Sequence, residues 1–255
     1  MFKIAKYVIY DILRSKVILA YTFFLLVVSL SLFLMDSDAS KSLISLMTVI
    51  MIIVPLVSII FSTTYFYNAY EFIELLAAQP LRRNTILLGE YFGVIISLLF
   101  ALAVGVGVPV CIWSFNSTGM VLLASGAALS LAFTSIAFLT SVATRDKSKG
   151  IGIALLLWFY FSVIYDGLVL AILFVFNDYP FERAVIELTS LNPIDLGRII
   201  ILLKFDISAL MGFTGAVYKQ FFGSYFGFLY SAVIMLLWIT IPLWFSVRIF
   251  KKKNI

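Results

Sequence analysis

Three groups of residues carry side chains able to do more than fill an apolar interior. The first is intramembrane. Asp166 stands as the acidic residue well inside a long apolar stretch, and Ser162 precedes it by one helical turn. A carboxylate at such depth costs on the order of 2.5–3.5 kcal/mol on insertion scales and needs a partner or water. Two roles are open to it: an internal hydrogen bond or interface contact, or a gate lining a cavity. Met47 and Met51 are also one helical turn apart, and thioethers are soft ligands suited to Cu(I). Methionine equally fills irregular apolar gaps, so they are weak metal candidates.

The second group lies in the segment from Asn68 to Asn84, NAYEFIELLAAQPLRRN. Phe72, Leu75 and Leu76 fall at helical spacing, Glu71 and Glu74 lie early, and Arg82 and Arg83 follow the end, a charge order that suits a helix dipole. Pro80 lacks the backbone donor that a continuing helix needs. The spacing therefore predicts a short polar helix wedged between two spans, either a plain interfacial turn or a ball for a partner's socket. The third group is Asn192, Pro193, Asp195 and Arg198, where Asn before Pro favours an extended entry and Pro suits a first helical turn.

Other chemistry is excluded by what the chain lacks. It has no histidine and one cysteine, Cys111, so there is no Ser-His or Cys-His pair, no His-ligated metal and no internal disulfide. No G-x-x-x-x-G-K-[ST] phosphate loop occurs, so ATP hydrolysis is not expected in this chain. No catalytic constellation remains, and the expected role is non-enzymatic.

These residues must be positioned by membrane helices. Of 255 residues, 63% are apolar and 12% charged, far from the ~45–50% and ~25% of soluble domains. Apolar runs near 17–35, 43–67, 86–114, 118–142, 151–176 and 224–249 are each long enough for a span, which predicts an all-α polytopic protein with one membrane domain. Residues 1–16 read as an amphipathic interfacial helix rather than a cleaved leader. Grouped by connection, 13 of the 18 Lys and Arg residues fall on one side, and Lys41, Arg183, Arg198, Lys204 and Lys219 on the other. The positive-inside rule then makes both termini cytoplasmic and the long loop 177–223 extracytoplasmic. The net charge of +5 reflects this topology and not a nucleic-acid surface. Gly89 with Gly93, and Gly223 with Gly227, form G-x-x-x-G pairs that permit close helix approach. Gly105, Gly107 and Pro109 are placed to bend span 3.

The stretch from Glu74 to Arg83, followed by Leu88-Gly-Glu-Tyr-Phe-Gly93, resembles the coupling helix and Gly-led third span of ABC-2 type transport permeases. The amino-terminal helix, six spans and long last outer loop match that architecture along the whole chain. The resemblance implies a bacterial inner-membrane subunit that couples ATP hydrolysis, with ATP and Mg in a partner ATPase, through Glu71, Phe72, Glu74, Leu75, Arg82 and Arg83. Within the outer loop, Leu191 to Arg198 and Asp206 to Val217 resemble the permeases of the Nos systems, which mature nitrous oxide reductase. That likeness implies a second copy of the chain, a cytoplasmic ATPase (NosF-like), a periplasmic β-helical protein (NosD-like) and a membrane copper chaperone (NosL-like). It assigns partner contact to Asn192, Pro193, Asp195, Arg198, Asp206 and Met211, with copper handled by the partners. Export of another substrate, such as a drug, lipid or ion, is the alternative within the family. A secondary transporter is the weaker one, since it predicts more intramembrane charge.

Overall fold

A computed structural model describes residues 1–35, 38–175, 187–204 and 225–252. Among them the chain is helical, and six helical stretches are long and apolar enough to cross a membrane. In chain order these elements are α1 (Phe2–Leu13), α2 (Lys16–Met35), α3 (Ala39–Asn68), α4 (Tyr70–Ala77) and α5 (Arg83–Leu102). They continue with α6 (Val108–Trp113), α7 (Ser117–Ala143), α8 (Lys147–Phe159), α9 (Tyr165–Val175), α10 (Pro193–Lys204) and α11 (Tyr225–Lys252). Spans 1, 2, 4 and 6 are α2, α3, α7 and α11. Span 3 runs from α5 through a π turn at Ala103–Gly107 into α6, and span 5 from α8 through a π turn at Tyr160–Ile164 into α9. Asp206, Met211 and Gly223 lie outside the described residues.

Short connections force antiparallel neighbours, and side-chain caps fix where several spans begin. Asp38 accepts from Ser40 N at the start of α3, Asn116 from Gly119 N at the start of α7, and Asp146 from Ser148 N and Lys149 N at the start of α8. Each satisfies amide donors that the first helical turn leaves unpaired. α3 and α7 form the centre of the bundle, with a buried Ser62–Thr134 hydrogen bond of 3.3 Å between them. Tyr91 of α5 shares a 2.7 Å bond with Ser135 of α7. Spans 1, 5 and 6 keep most of their surface open outward.

α1 packs along α5 rather than turning its apolar stripe to lipid. Ile4, Ala5, Val8 and Ile12 are buried, and a Cβ added at Gly89 or Gly93 would stand 2.8 Å from Ile4 Cγ2 or 2.3 Å from Val8 Cγ1. The glycine pair is what permits this approach. The outward face of α1 carries exposed Phe2, Tyr7 and Tyr10.

The π turn in span 3 follows from Pro109. Proline has no N–H, so the carbonyl four residues earlier, Gly105, loses its helical donor. Ser29 Oγ of α2 donates to Gly105 O at 2.6 Å and fills the vacancy. An added Cβ at Gly105 would lie 2.6 Å from Leu25 Cβ, so the same glycine lets α2 come close enough to do so.

Candidate functional site

The connection between spans 2 and 3 forms the first candidate region. α4 ends at Ala77, ahead of Pro80, and its eight residues are divided sharply by face. Ile73 is buried, while Glu71, Glu74 and Leu75 point outward, Leu75 with 67% of its surface exposed. The outward side of α4 thus combines an exposed leucine with two carboxylates. Phe72, grouped with these residues on sequence, is placed elsewhere: its ring stacks on Tyr7 of α1 at 5.0 Å, so it seats the elbow on the amino-terminal helix. Arg82 is exposed. Arg83 begins α5 and donates to Lys251 O at 3.4 Å, bringing the end of α11 to the elbow end of the bundle.

A second region lies about halfway along the spans, where α10 enters the bundle. A Cβ added at Gly197 would stand 3.6 Å from the Met51 thioether and from Leu129 Cδ1, so α10 passes beside both. Met51 is 12 residues into α3, about 18 Å at 1.5 Å per residue. Residues expected in an outer docking loop are therefore set at mid-depth, among spans 2, 4, 5 and 6. Asn192, fully buried, is the joint. Its Oδ1 accepts from Ile194 N at 3.0 Å, which caps α10 ahead of Pro193. Its Nδ2 donates to Asp195 Oδ2 and to Phe161 O, both at 2.9 Å. The π turn makes the second bond possible, because Tyr165 N bonds Tyr160 O five residues back and leaves Phe161 O unclaimed.

Asp166, 32 residues before Arg198, belongs to the same cluster. Arg198 Nη1 donates to Asp166 Oδ2 at 2.8 Å and stands 3.3 Å from Asp195 Oδ1. Two carboxylates thus share one guanidinium. Burial, and then the Asp166 charge, push the Asp195 carboxyl up from 3.8 to about 7, opposed by Arg198 and by the Asn192 hydrogen bond. The cluster holds α9 to α10 through the shared guanidinium. Tyr165 Oη donates to Leu188 O. From span 6, Trp238 Nε1 donates to Ser190 O at 3.2 Å, and Tyr230 Oη and Ser190 Oγ are 2.9 Å apart. The loop is thereby fastened to spans 5 and 6 together.

Ser162 does not join this cluster: its Oγ is buried in the π turn without a hydrogen-bond partner. Met47 and Met51 are buried, and Met51 lies beside Gly197. Among the described residues no group of three or more His, Cys, Asp or Glu side chains converges as a metal centre.

One acidic residue escaped the sequence reading. Glu90 lies seven residues into α5 and is 1% exposed, so Asp166 is not the lone acid inside a span. Neither Glu90 oxygen has a hydrogen-bond partner. The signal was present: Ile86 and Val94, four residues to either side, are fully buried, so the helical row carrying Glu90 had to face inward.

The comparisons with known proteins agree with this architecture. A family model described as ABC-2 family transporter protein matches residues 2–255. A protein from Pseudomonas aeruginosa described as probable ABC transporter permease protein NosY is 32% identical over 157 residues, covering 54% of this chain and 54% of its own length. One of the same description from Stutzerimonas stutzeri is 26% identical over 232 residues, covering 81% of this chain and 82% of that protein. The match thus spans about half the length of the first relative and about four fifths of the second.

Proposed function

The chain belongs to the ABC-2 family of transporter proteins, and from that premise we propose that it is the membrane subunit of an ATP-driven complex that assembles the copper–sulfide centre of nitrous oxide reductase. The likeness to two permeases described as NosY supports the maturation role. In this reading two copies of the chain pair, and the α4 elbow of each sits in a NosF-like cytoplasmic ATPase that holds ATP and Mg. A NosD-like β-helical protein and a NosL-like chaperone handle copper on the periplasmic side. Glu71, Glu74 and Leu75 make the ATPase contact, with Arg82 beside them; Phe72 and Arg83 hold the elbow to α1 and α11.

The observation that carries the mechanism is the continuity of α3. It runs as one helix from the elbow at Asn68, across Pro55, to Met51, which lies beside Gly197 of α10. Displacement of the elbow by the closing ATPase is passed along α3 to α10, and from α10 through Arg198–Asp166 and Asn192–Phe161 to span 5. The outer loop, Asp206 and Met211 included, then repositions the periplasmic partner.

The test is complementation of a strain lacking this gene with Leu75→Asp, or with Glu71→Lys and Glu74→Lys together. Nitrous oxide reductase is then isolated and its copper, sulfide and visible spectrum measured. With normal membrane levels of the variants, the reading expects an enzyme missing only its copper–sulfide centre and an ATPase that still hydrolyses ATP. If the deletion strain itself yields fully assembled enzyme, the maturation role is wrong and the chain serves an exporter of another substrate.

A further inference from the structure

Glu90 has no part in the elbow or in the mid-depth cluster, yet it is the least satisfied charged group among the described residues. Its side chain is 1% exposed, and both oxygens lack any hydrogen-bond partner. Ionised, it is a bare carboxylate in an apolar bundle; protonated, it still has an O–H donor and a carbonyl acceptor unpaired. Either form is expensive, so a group from outside the chain is called for.

Its surroundings indicate what kind. Asp11 of α1 and Tyr65 of α3 both lie within electrostatic reach of the Glu90 carboxyl. Tyr65 Oη donates to Asp11 Oδ2 at 3.2 Å, which leaves the lone pairs of the phenol oxygen free. α1 is pressed onto α5 at this level by Gly89 and Gly93, which flank Glu90. Arg14, the cation nearest along α1, is engaged over the ring of Tyr10 at 3.9 Å. The groups gathered here are therefore oxygen atoms able to ligate a cation, two carboxyl groups and a phenol.

A cleft of about 410 Å³ opens beside Tyr65, with Ser15, Thr64 and Asn68 supplying polar wall and Phe61 and Ile60 the apolar one. Tyr65 belongs to both features: it lines the cleft, and its hydroxyl donates to Asp11.

We propose that Glu90, Asp11 and Tyr65 form a binding site for a hard metal cation between α1, α3 and α5, adjoining the cleft at Tyr65. Carboxylate and phenol oxygens select alkali or alkaline-earth ions over soft metals. The bound ion neutralises Glu90 and clamps the amino-terminal helix to the two spans that meet at the elbow. Such a clamp sets how firmly α4 is held at its base.

The experiment uses the full-length protein purified in detergent into N-methyl-glucamine chloride buffer freed of metals. NaCl, KCl, MgCl2 and CaCl2 are titrated separately at constant ionic strength while the unfolding midpoint is followed. A saturable rise with one of the four identifies the ion. Glu90→Gln must abolish that rise, and Asp11→Asn, at an exposed position, must weaken the apparent affinity about tenfold or more. A response to none of the four salts means that Glu90 is held by water or a proton, and overturns the proposal. So does a rise of unchanged midpoint and size in Asp11→Asn, which also decides the matter should Glu90→Gln not fold.

Discussion

Replacing Asn192 by alanine removes three hydrogen bonds from a residue with no exposed surface. Loss of the cap on Ile194 N costs about 1 kcal/mol. Leaving Phe161 O buried without its donor costs a further ~1–3 kcal/mol. Asp195 keeps Arg198 at 3.3 Å, so little is added there. The sum is about 2–4 kcal/mol, or a midpoint lower by roughly 4–16 °C for a chain of this size. Asn192→Asp separates the two effects, since it keeps the acceptor for Ile194 N but cannot donate to Phe161 O. It also sets a third carboxylate beside Asp166 and Asp195, and is expected to be at least as damaging as alanine. Thermal unfolding of the purified protein is followed together with hydrogen exchange of residues 160–166 and 193–198. Both segments should exchange faster in both variants. A midpoint within about 1 °C of the parent, with exchange unchanged, refutes the view that Asn192 holds the π turn to α10.

Asp195 gives a pH prediction. Its folded value, about 7, lies above the ordinary 3.8, so the folded state binds the extra proton. Stability falls as pH rises from about 4 to 7 and levels off above that. Midpoints measured from pH 4.5 to 8 should show this slope, reduced in Asp195→Asn; an unaltered slope in the variant rejects the assignment. Ser29→Ala strips Gly105 O of its donor and should cost about 1–3 kcal/mol. Pro109→Ala restores a backbone N–H, so the double variant should regain part of that loss; strict additivity of the two midpoint shifts counts against the argument. In Leu75→Asp the side chain is 67% exposed, so its midpoint should match the parent while function is lost.

The spans were open to sequence reading because hydropathy over about 20 residues is a local property. The elbow was partly open. Its helix and its proline stop are written in consecutive residues, whereas the facing of Phe72 is decided by Tyr7, more than sixty residues away in sequence. The mid-depth cluster shows the same limit. Asp166 reads as a span residue and Arg198 as a loop residue, and only the return of α10 into the bundle makes them a pair. That return sets α10 beside Met51 and Leu129, which periodicity cannot reveal. Glu90 was legible from its buried neighbours along the helix, but its position near the start of a span gave it the look of a solvated end.

The two π turns have a geometric consequence for how these spans can change. An ordinary helix advances about 100° per residue, and a π turn accommodates one additional residue. Everything beyond it is swung round the axis by one residue's worth of rotation, so one rod presents two unrelated sides. Span 5 uses one side at Gly150, wedged against Tyr67, and the other at Asp166, turned to Arg198. Straightening the turn at unchanged length would wheel Asp166 away from Arg198, whereas loss of a single codon within residues 160–164 would iron out the turn and leave Asp166 facing Arg198. The alignment of the two halves of the span is thus set by the extra residue held in the turn as much as by residue type.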